Sequence, residues 1–163
     1  MIVNCVAYKR GQKLSDIAIG EIRDHLTGPD CFVWVALKDA EPAELAALQE
    51  EFGLHDLAVE DAQKGHQRPK IDEYGSSLFV VMHLIEQLGD EVQTGEVAIF
   101  IGPQYAISTR RDAPLGFAEV RRRCELEPEL LQHGPAYVLY ALMDTVVDRY
   151  FPVVSKLAEE LED

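Results

Sequence analysis

The residues of this sequence best suited to chemistry are carboxylates, beginning with the adjacent pair Glu60 and Asp61. On the helix predicted for this segment, neighbouring side chains point about 100° apart. The two carboxylates therefore cannot chelate one ion from the same direction. They can serve two neighbouring cation sites, or they can be solvated acids that cap the local backbone, and both interpretations stay open on these residues alone.

A second acidic pair, Asp144 and Asp148, has the i, i+4 spacing that places both carboxylates on one face of a helix. Their repulsion destabilises a helix by about 0.3 kcal/mol unless a cation or an arginine offsets it, and the adjacent Arg149 lies on another face. A hard cation such as Mg²⁺ accepts carboxylate ligands while it keeps much of its water. The pair therefore suits Mg²⁺, with two solvated acids as the alternative.

The segment HQRPK at 66–70 is a third feature, and it lies between acidic residues on both sides. Pro69 holds Arg68 in an extended conformation and lets the chain pass from helix to strand. Phosphate binding would need a glycine-rich nest or a helix start, and the segment shows neither. We expect Arg68 and Lys70 to form a structural clamp with the nearby acids, namely Glu60, Asp61, Asp72 or Glu73.

Signatures of common enzyme classes are absent from the sequence, which contains no GxSxG, P-loop, GxGxxG or HExxH. The five histidines are scattered, with no pair at ligand spacing on one clear helix face. Cys5, Cys31 and Cys124 lie far apart without a CxxC, so we expect buried thiols rather than disulfides or zinc ligands. We do not expect an enzyme; a soluble acidic enzyme, with a carboxylate dyad assembled by folding, is the alternative from a different class.

The net charge of the chain indicates which classes of molecule it can bind. The 163 residues include 15 Lys and Arg against 29 Asp and Glu, which gives a formal net charge of −14. Such a surface repels nucleic acid and anionic lipid and attracts cations. The chain begins without a signal-peptide pattern and has no run of about 18 apolar residues, so we expect it to be soluble and cytoplasmic.

Hydropathy patterning predicts the elements that must position these acids. Strands are predicted at 2–8, 31–37, 70–74, 77–85, 96–101 and 105–109, and helices at 42–52, 55–63, 114–126, 128–132 and from 135 onward, whereas 14–26 is ambiguous. This order predicts an α/β (α+β) fold, an α/β/α sandwich around a mixed β-sheet over 1–133, followed by a long helix over 134–163. Pro152 should kink that helix or remove one of its hydrogen bonds.

The last helix lacks a stop signal. Its final residues, KLAEELED, contain no glycine, no proline and no basic last turn, and its apolar stripe reaches the end of the sequence. We therefore expect the helix to continue beyond residue 163 and to pack on something outside this chain.

Three stretches carry a family resemblance when they are read together: LAVED at 57–61, HQRPKI at 66–71 and YVLYALMDTVVD at 137–148. Their order and spacing resemble the cytoplasmic N-terminal domain of the CorA magnesium and cobalt transporter family, and FVWV at 32–35 with the acidic helix that follows fits the same pattern. The resemblance spans nearly the whole chain. It implies a regulatory domain that is followed by a stalk helix, two transmembrane helices and a Gly-Met-Asn pore motif.

The resemblance also implies the site and the assembly. Family members are homopentamers of the inner membrane, in which magnesium between neighbouring cytoplasmic domains holds the channel closed and its loss opens the pore. By motif, Asp61 matches the principal intersubunit carboxylate, and Glu60 and Asp144 match positions near a second ion; Asp148 is added from its helical spacing. The carboxylate that completes the principal site would lie on the stalk. Weakly bound magnesium is the expected ion, with cobalt or zinc as alternatives, and a zinc-transporting relative is the alternative function within the family.

Overall fold

The computed structural model describes all 163 residues and places seven strands in one mixed sheet. The order across the sheet is β2-β1-β3-β7-β6-β5-β4. Only β3 and β7 are parallel neighbours, and every other pair is antiparallel. The strands are β1 (Ile2–Lys9), β2 (Gln12–Asp16), β3 (Cys31–Lys38), β4 (Lys70–Tyr74), β5 (Ser77–Leu88), β6 (Glu91–Ile101) and β7 (Tyr105–Arg111).

Six α-helices cover the sheet, three on each face, which confirms the predicted α/β/α sandwich. One layer holds α1 (Ile22–His25), α2 (Pro42–Phe52) and α3 (Asp56–Lys64). The other holds α4 (Ala118–Leu126), α5 (Pro128–Leu131) and α6 (Pro135–Glu162). We call them the α3 layer and the α6 layer.

The central strand β3 shows why its sequence is almost continuously apolar. Val33, Val35 and Leu37 pack in the core beneath the α3 layer, whereas Phe32 and Trp34 pack in the core beneath the α6 layer. A strand that is covered on both faces has no side that favours polar residues. All three cysteines are buried and free, as predicted.

The predicted helix at 114–126 is wrong in its first turn, because α4 begins later. Contacts from other elements hold the preceding loop away from helical geometry. The amide of Leu115 donates to the carboxylate of Glu86 at 3.1 Å, and the carbonyl of Gly116 accepts from Arg149 at 2.7 Å. These partners belong to a distant strand and a distant helix, so local patterning does not reveal them.

The strands predicted at 77–85 and 96–101 are also too short. The β5–β6 hairpin continues to Leu88 and Glu91, which pair across a turn at Gly89. The segment at 14–26 is mixed: it ends β2, forms a 3₁₀ turn over Ile19–Glu21 and then forms α1.

The long helix α6 is continuous through Pro152. Its inward residues, among them Val138, Leu142 and Val146, are buried against the sheet. No helix combines the length and the apolar character needed to cross a membrane. An exposed stripe of large apolar side chains follows the other side of α6: Tyr140, Met143, Val147, Phe151, Val154, Leu157 and Leu161.

Candidate metal-binding carboxylates

Asp61 lies at the edge of α3, where it meets the first residue of β4. The buried side of this helix, formed by Ala58, Val59 and Ala62, fixes its rotation on the sheet. The Lys70 Nζ lies 2.5 Å from a carboxylate oxygen of Asp61 and 2.9 Å from one of Asp72. These hydrogen bonds, the one to Asp61 above all, raise the pKa of Lys70 well above its usual range. The predicted clamp is therefore present at Lys70.

Glu60 points along the surface of the same helix rather than towards Asp61's partners. Its carboxylate accepts a hydrogen bond from Lys64, one turn later, and both side chains are at least half exposed. The hydrogen bond to Glu60 raises the pKa of Lys64. Adjacent carboxylates thus face different partners, as helical geometry predicts. Arg68, the other basic residue expected in the clamp, forms no ion pair with a carboxylate.

Asp144 and Asp148 lie on α6, at the side that faces α4. One oxygen of Asp144 is 3.5 Å from the Arg123 guanidinium, and both side chains are more than two-fifths exposed. Asp148 is exposed and forms no ion pair within 4 Å. It borders an open recess together with Arg123 and Glu119.

The four predicted residues do not meet within one copy of the chain. Glu60 and Asp61 belong to the α3 layer, whereas Asp144 and Asp148 belong to the α6 layer on the opposite face of the sheet. No group of three or more His, Cys, Asp or Glu side chains is arranged to hold a metal ion. Metal binding at these four carboxylates stays a prediction.

A second set of charged residues, missed by sequence reasoning, ties α6 to the sheet. Glu86 on β5 is only 2% exposed, and one of its carboxylate oxygens is 3.9 Å from Arg149. Arg149 also lies 3.1 Å from Glu119 and stacks 4.8 Å from the centre of the Phe117 ring. The only sequence signal was a glutamate at the end of an apolar strand, beyond the predicted boundary.

The sequence matches a known protein family and several curated proteins. The family described as "CorA-like Mg2+ transporter protein" matches residues 30–163. The chain is 35% identical over 153 residues to the putative metal ion transporter YfjQ of Bacillus subtilis, covering 93% of this chain and 46% of that protein. It is 28% identical over 116 residues to the cobalt/magnesium transport protein CorA of Thermotoga maritima, covering 69% of this chain and 33% of that protein.

Solved structures agree on the fold. The full-length CmaX protein superposes with a TM-score of 0.74 at 21% sequence identity, covering 99% of this chain and 50% of that chain. The chain therefore spans half or less of the length of these three proteins.

Proposed function

Since the chain belongs to the CorA-like Mg²⁺ transporter family, we propose that it is the cytoplasmic regulatory domain of a divalent metal channel of the inner membrane. In this proposal, the domain senses intracellular Mg²⁺ at carboxylates near subunit interfaces and so gates a pore formed by other parts of the protein. The ions carried would be Mg²⁺ and Co²⁺.

The observation that carries the proposal is the placement of the acids on opposite faces of the sandwich. Asp61 lies in the α3 layer and Asp144 in the α6 layer, so one copy cannot bring them to a common ion. A head-to-tail interface presents one face of a subunit to the opposite face of the next, and such interfaces form a ring when the rotation between subunits closes. In such a ring, for example a homopentamer, acids on opposite faces of each copy would meet at every interface, which supports the proposal that neighbours share ions.

Electrostatics supports a role for cations in that assembly. Each copy carries a formal net charge of −14, so copies repel one another. Two carboxylates about 4 Å apart repel by roughly 1–4 kcal/mol, depending on the effective dielectric constant. A divalent cation at each interface would offset this repulsion and favour the closed ring.

The basic partners of the acids support weak binding. Mg²⁺ at Asp61 must compete with Lys70, and Mg²⁺ at Asp144 must compete with Arg123. Weak binding suits a sensor, because occupancy changes most steeply when the ion concentration lies near the dissociation constant.

Thermal unfolding with and without millimolar Mg²⁺ tests the proposal. We expect Mg²⁺ to raise the melting temperature of the wild type and to raise it less in the double variant Asp61→Asn/Asp144→Asn, which loses both ligands. A matched control, Asp24→Asn/Glu50→Gln, removes the same charge from two exposed acids that form no ion pair, and should keep the wild-type response. An unchanged melting temperature in the wild type, or equal responses of the two double variants, would contradict sensing at these carboxylates.

A further inference from the structure

Arg68 is the basic residue that the Lys70 clamp leaves unpaired. Its side chain is exposed and forms neither an ion pair nor a hydrogen bond, although the chain has 29 acidic residues against 15 basic ones. It lies two residues before Lys70, whose Nζ is 2.5 Å from Asp61. Two residues of extended chain span at most about 7 Å. A free positive charge therefore lies close to the Asp61 carboxylate.

Asp148 is the corresponding unpaired acid in the α6 layer. It is exposed, and it lies one helical turn, about 6 Å, after Asp144. Glu119, the other acid that borders the same open recess, is 3.1 Å from Arg149. Asp148 is therefore the acid of this recess that no basic residue of its own copy pairs with.

The two layers carry side chains in the same order around the candidate ion site. In the α3 layer, Leu57 is 56% exposed and lies one helical turn before Asp61. In the α6 layer, Tyr140 is 61% exposed and lies one turn before Asp144. On each layer, an exposed apolar residue thus precedes the acid, and an unpaired charge follows it. The two unpaired charges are opposite in sign.

We propose that Arg68 forms an ion pair with Asp148 of the partner subunit in the ring. This inference rests on the proposed function, since the shared ion brings Asp61 of one copy opposite Asp144 of the partner subunit. When those two acids meet at one ion, the matching order of side chains places Leu57 on Tyr140 of the partner subunit.

The ion pair would set the register of the interface. An arginine and a carboxylate form paired hydrogen bonds in a fixed relative geometry, and charge pairs across an interface determine which partners fit and in which alignment. In this arrangement Asp148 pairs with an arginine, and Asp144 is the acid of α6 that serves the ion.

Carbodiimide cross-linking tests the contact directly, because this reagent joins an amine to a carboxylate only where the two touch. In the Arg68→Lys variant, which keeps the charge and supplies an amine, we expect a link from position 68 to Asp148 in the presence of millimolar Mg²⁺. Mixing isotope-labelled and unlabelled copies shows by mass spectrometry that the link joins two chains. Asp148→Asn should abolish it. Lys9, an exposed native lysine without an ion pair, should give no link to Asp148 above background.

Charge reversal gives a second measurement. Arg68→Glu and Asp148→Arg each place like charges across the interface and should weaken Mg²⁺-dependent association, measured by sedimentation velocity, roughly tenfold or more. The double variant should return to within about threefold of the wild type. Arg122→Glu and Glu129→Arg reverse the same charges at exposed positions within the α6 layer alone, and each should associate like the wild type.

Three results would overturn the ion pair: no link between copies from position 68 to Asp148, an equal link from Lys9, or a double reversal that does not restore association. Failure of the proposed function would give a different result. A link that forms equally with Mg²⁺ and with a chelator would keep the contact and contradict the shared ion. A melting temperature that rises with Mg²⁺ while no link forms would keep Mg²⁺ sensing and contradict the contact.

Discussion

The two helical layers are attached to the same sheet by ion pairs of different kinds. In the α3 layer, Lys70 joins Asp61 and Asp72 at 2.5 and 2.9 Å, but all three side chains keep between a quarter and two-fifths of their surface exposed. In the α6 layer, Arg149 reaches Glu86 at 3.9 Å, and the side chain of Glu86 is only 1% exposed. The shorter ion pairs, at Lys70, are partly exposed to solvent, whereas the longer ion pair, between Arg149 and Glu86, is buried.

This difference separates two roles for charge. Water screens the Lys70 clamp, so it contributes little to stability. In the proposed function, Mg²⁺ competes with Lys70 for Asp61. Because the Glu86 carboxylate is buried, water cannot replace Arg149 as its partner. Removal of Arg149 is therefore costly, even though the ion pair itself contributes little net stability. We therefore expect cations to compete at the exposed Lys70 clamp and not at the buried Glu86–Arg149 pair.

The largest effect should follow from Arg149→Met. The substitution leaves Glu86 charged and buried without a counter-charge, which we expect to lower the free energy of unfolding by about 3 kcal/mol. Urea denaturation measures this loss. The double variant Glu86→Gln/Arg149→Met, which removes the stranded charge, should recover part of it, and a loss below about 1 kcal/mol in the single variant would contradict the contrast between the layers.

A smaller effect is expected for Lys70→Met, at about 1 kcal/mol or less, because the clamp is partly exposed. The same change should increase the rise in melting temperature that Mg²⁺ produces, since Asp61 and Asp72 lose their competitor. Lys13→Met is the matched control: it removes the basic partner of Asp16, an exposed acid outside the four predicted ligands, and should leave the Mg²⁺ response unchanged. If Lys70→Met reduces the Mg²⁺ response, the lysine is needed for cation binding rather than opposed to it.

The smallest expected difference between the two layers concerns the pKa values of their buried cysteine thiols. Burial raises the pKa of Cys5, beneath the α3 layer, and of Cys124, beneath the α6 layer, from 9.0 to about 11 in each case. A thiol whose folded pKa is raised contributes stability that is complete below the unfolded pKa and is lost as the pH rises. Stability should therefore fall between about pH 9 and pH 11.

Thiolate absorbance during a pH titration, with Cys5→Ser and Cys124→Ser to assign each thiol, measures this. Both thiols should ionise in the same pH range. Ionisation of either one near its ordinary pKa of 9.0 would show that its layer opens to solvent.

The sequence predicted what depends on local pattern. The boundaries of β4 at 70–74, the start of α2 at Pro42 and the sandwich itself were confirmed, because alternation, helical spacing and turn residues act over a few positions. The Lys70 clamp was also foreseen, since its acids lie within a few residues of the sequence or one short helix away.

Contacts between distant elements could not be predicted in this way. Glu86 and Arg149 are far apart in the chain, and they meet only because α6 packs across β5. The same pair holds the loop before α4 out of the predicted helix. Whether Asp61 and Asp144 share an ion depends on a neighbouring copy, which the sequence of one chain does not describe.

Pro152 gives α6 the properties of a lever. It has no N–H, so the carbonyl of Asp148 lacks its helical donor and the helix bends more easily at this point. Val153 is the last buried residue of the helix, and about 14 Å of helix follows it, through Glu162, with Lys156 reaching the carbonyl of Asp90 at the β5–β6 turn at 3.4 Å. A tilt of about 10° at the proline would displace the end of the helix sideways by about 2 Å. A slight shift where α6 meets the sheet would therefore produce a larger displacement at the end of the helix.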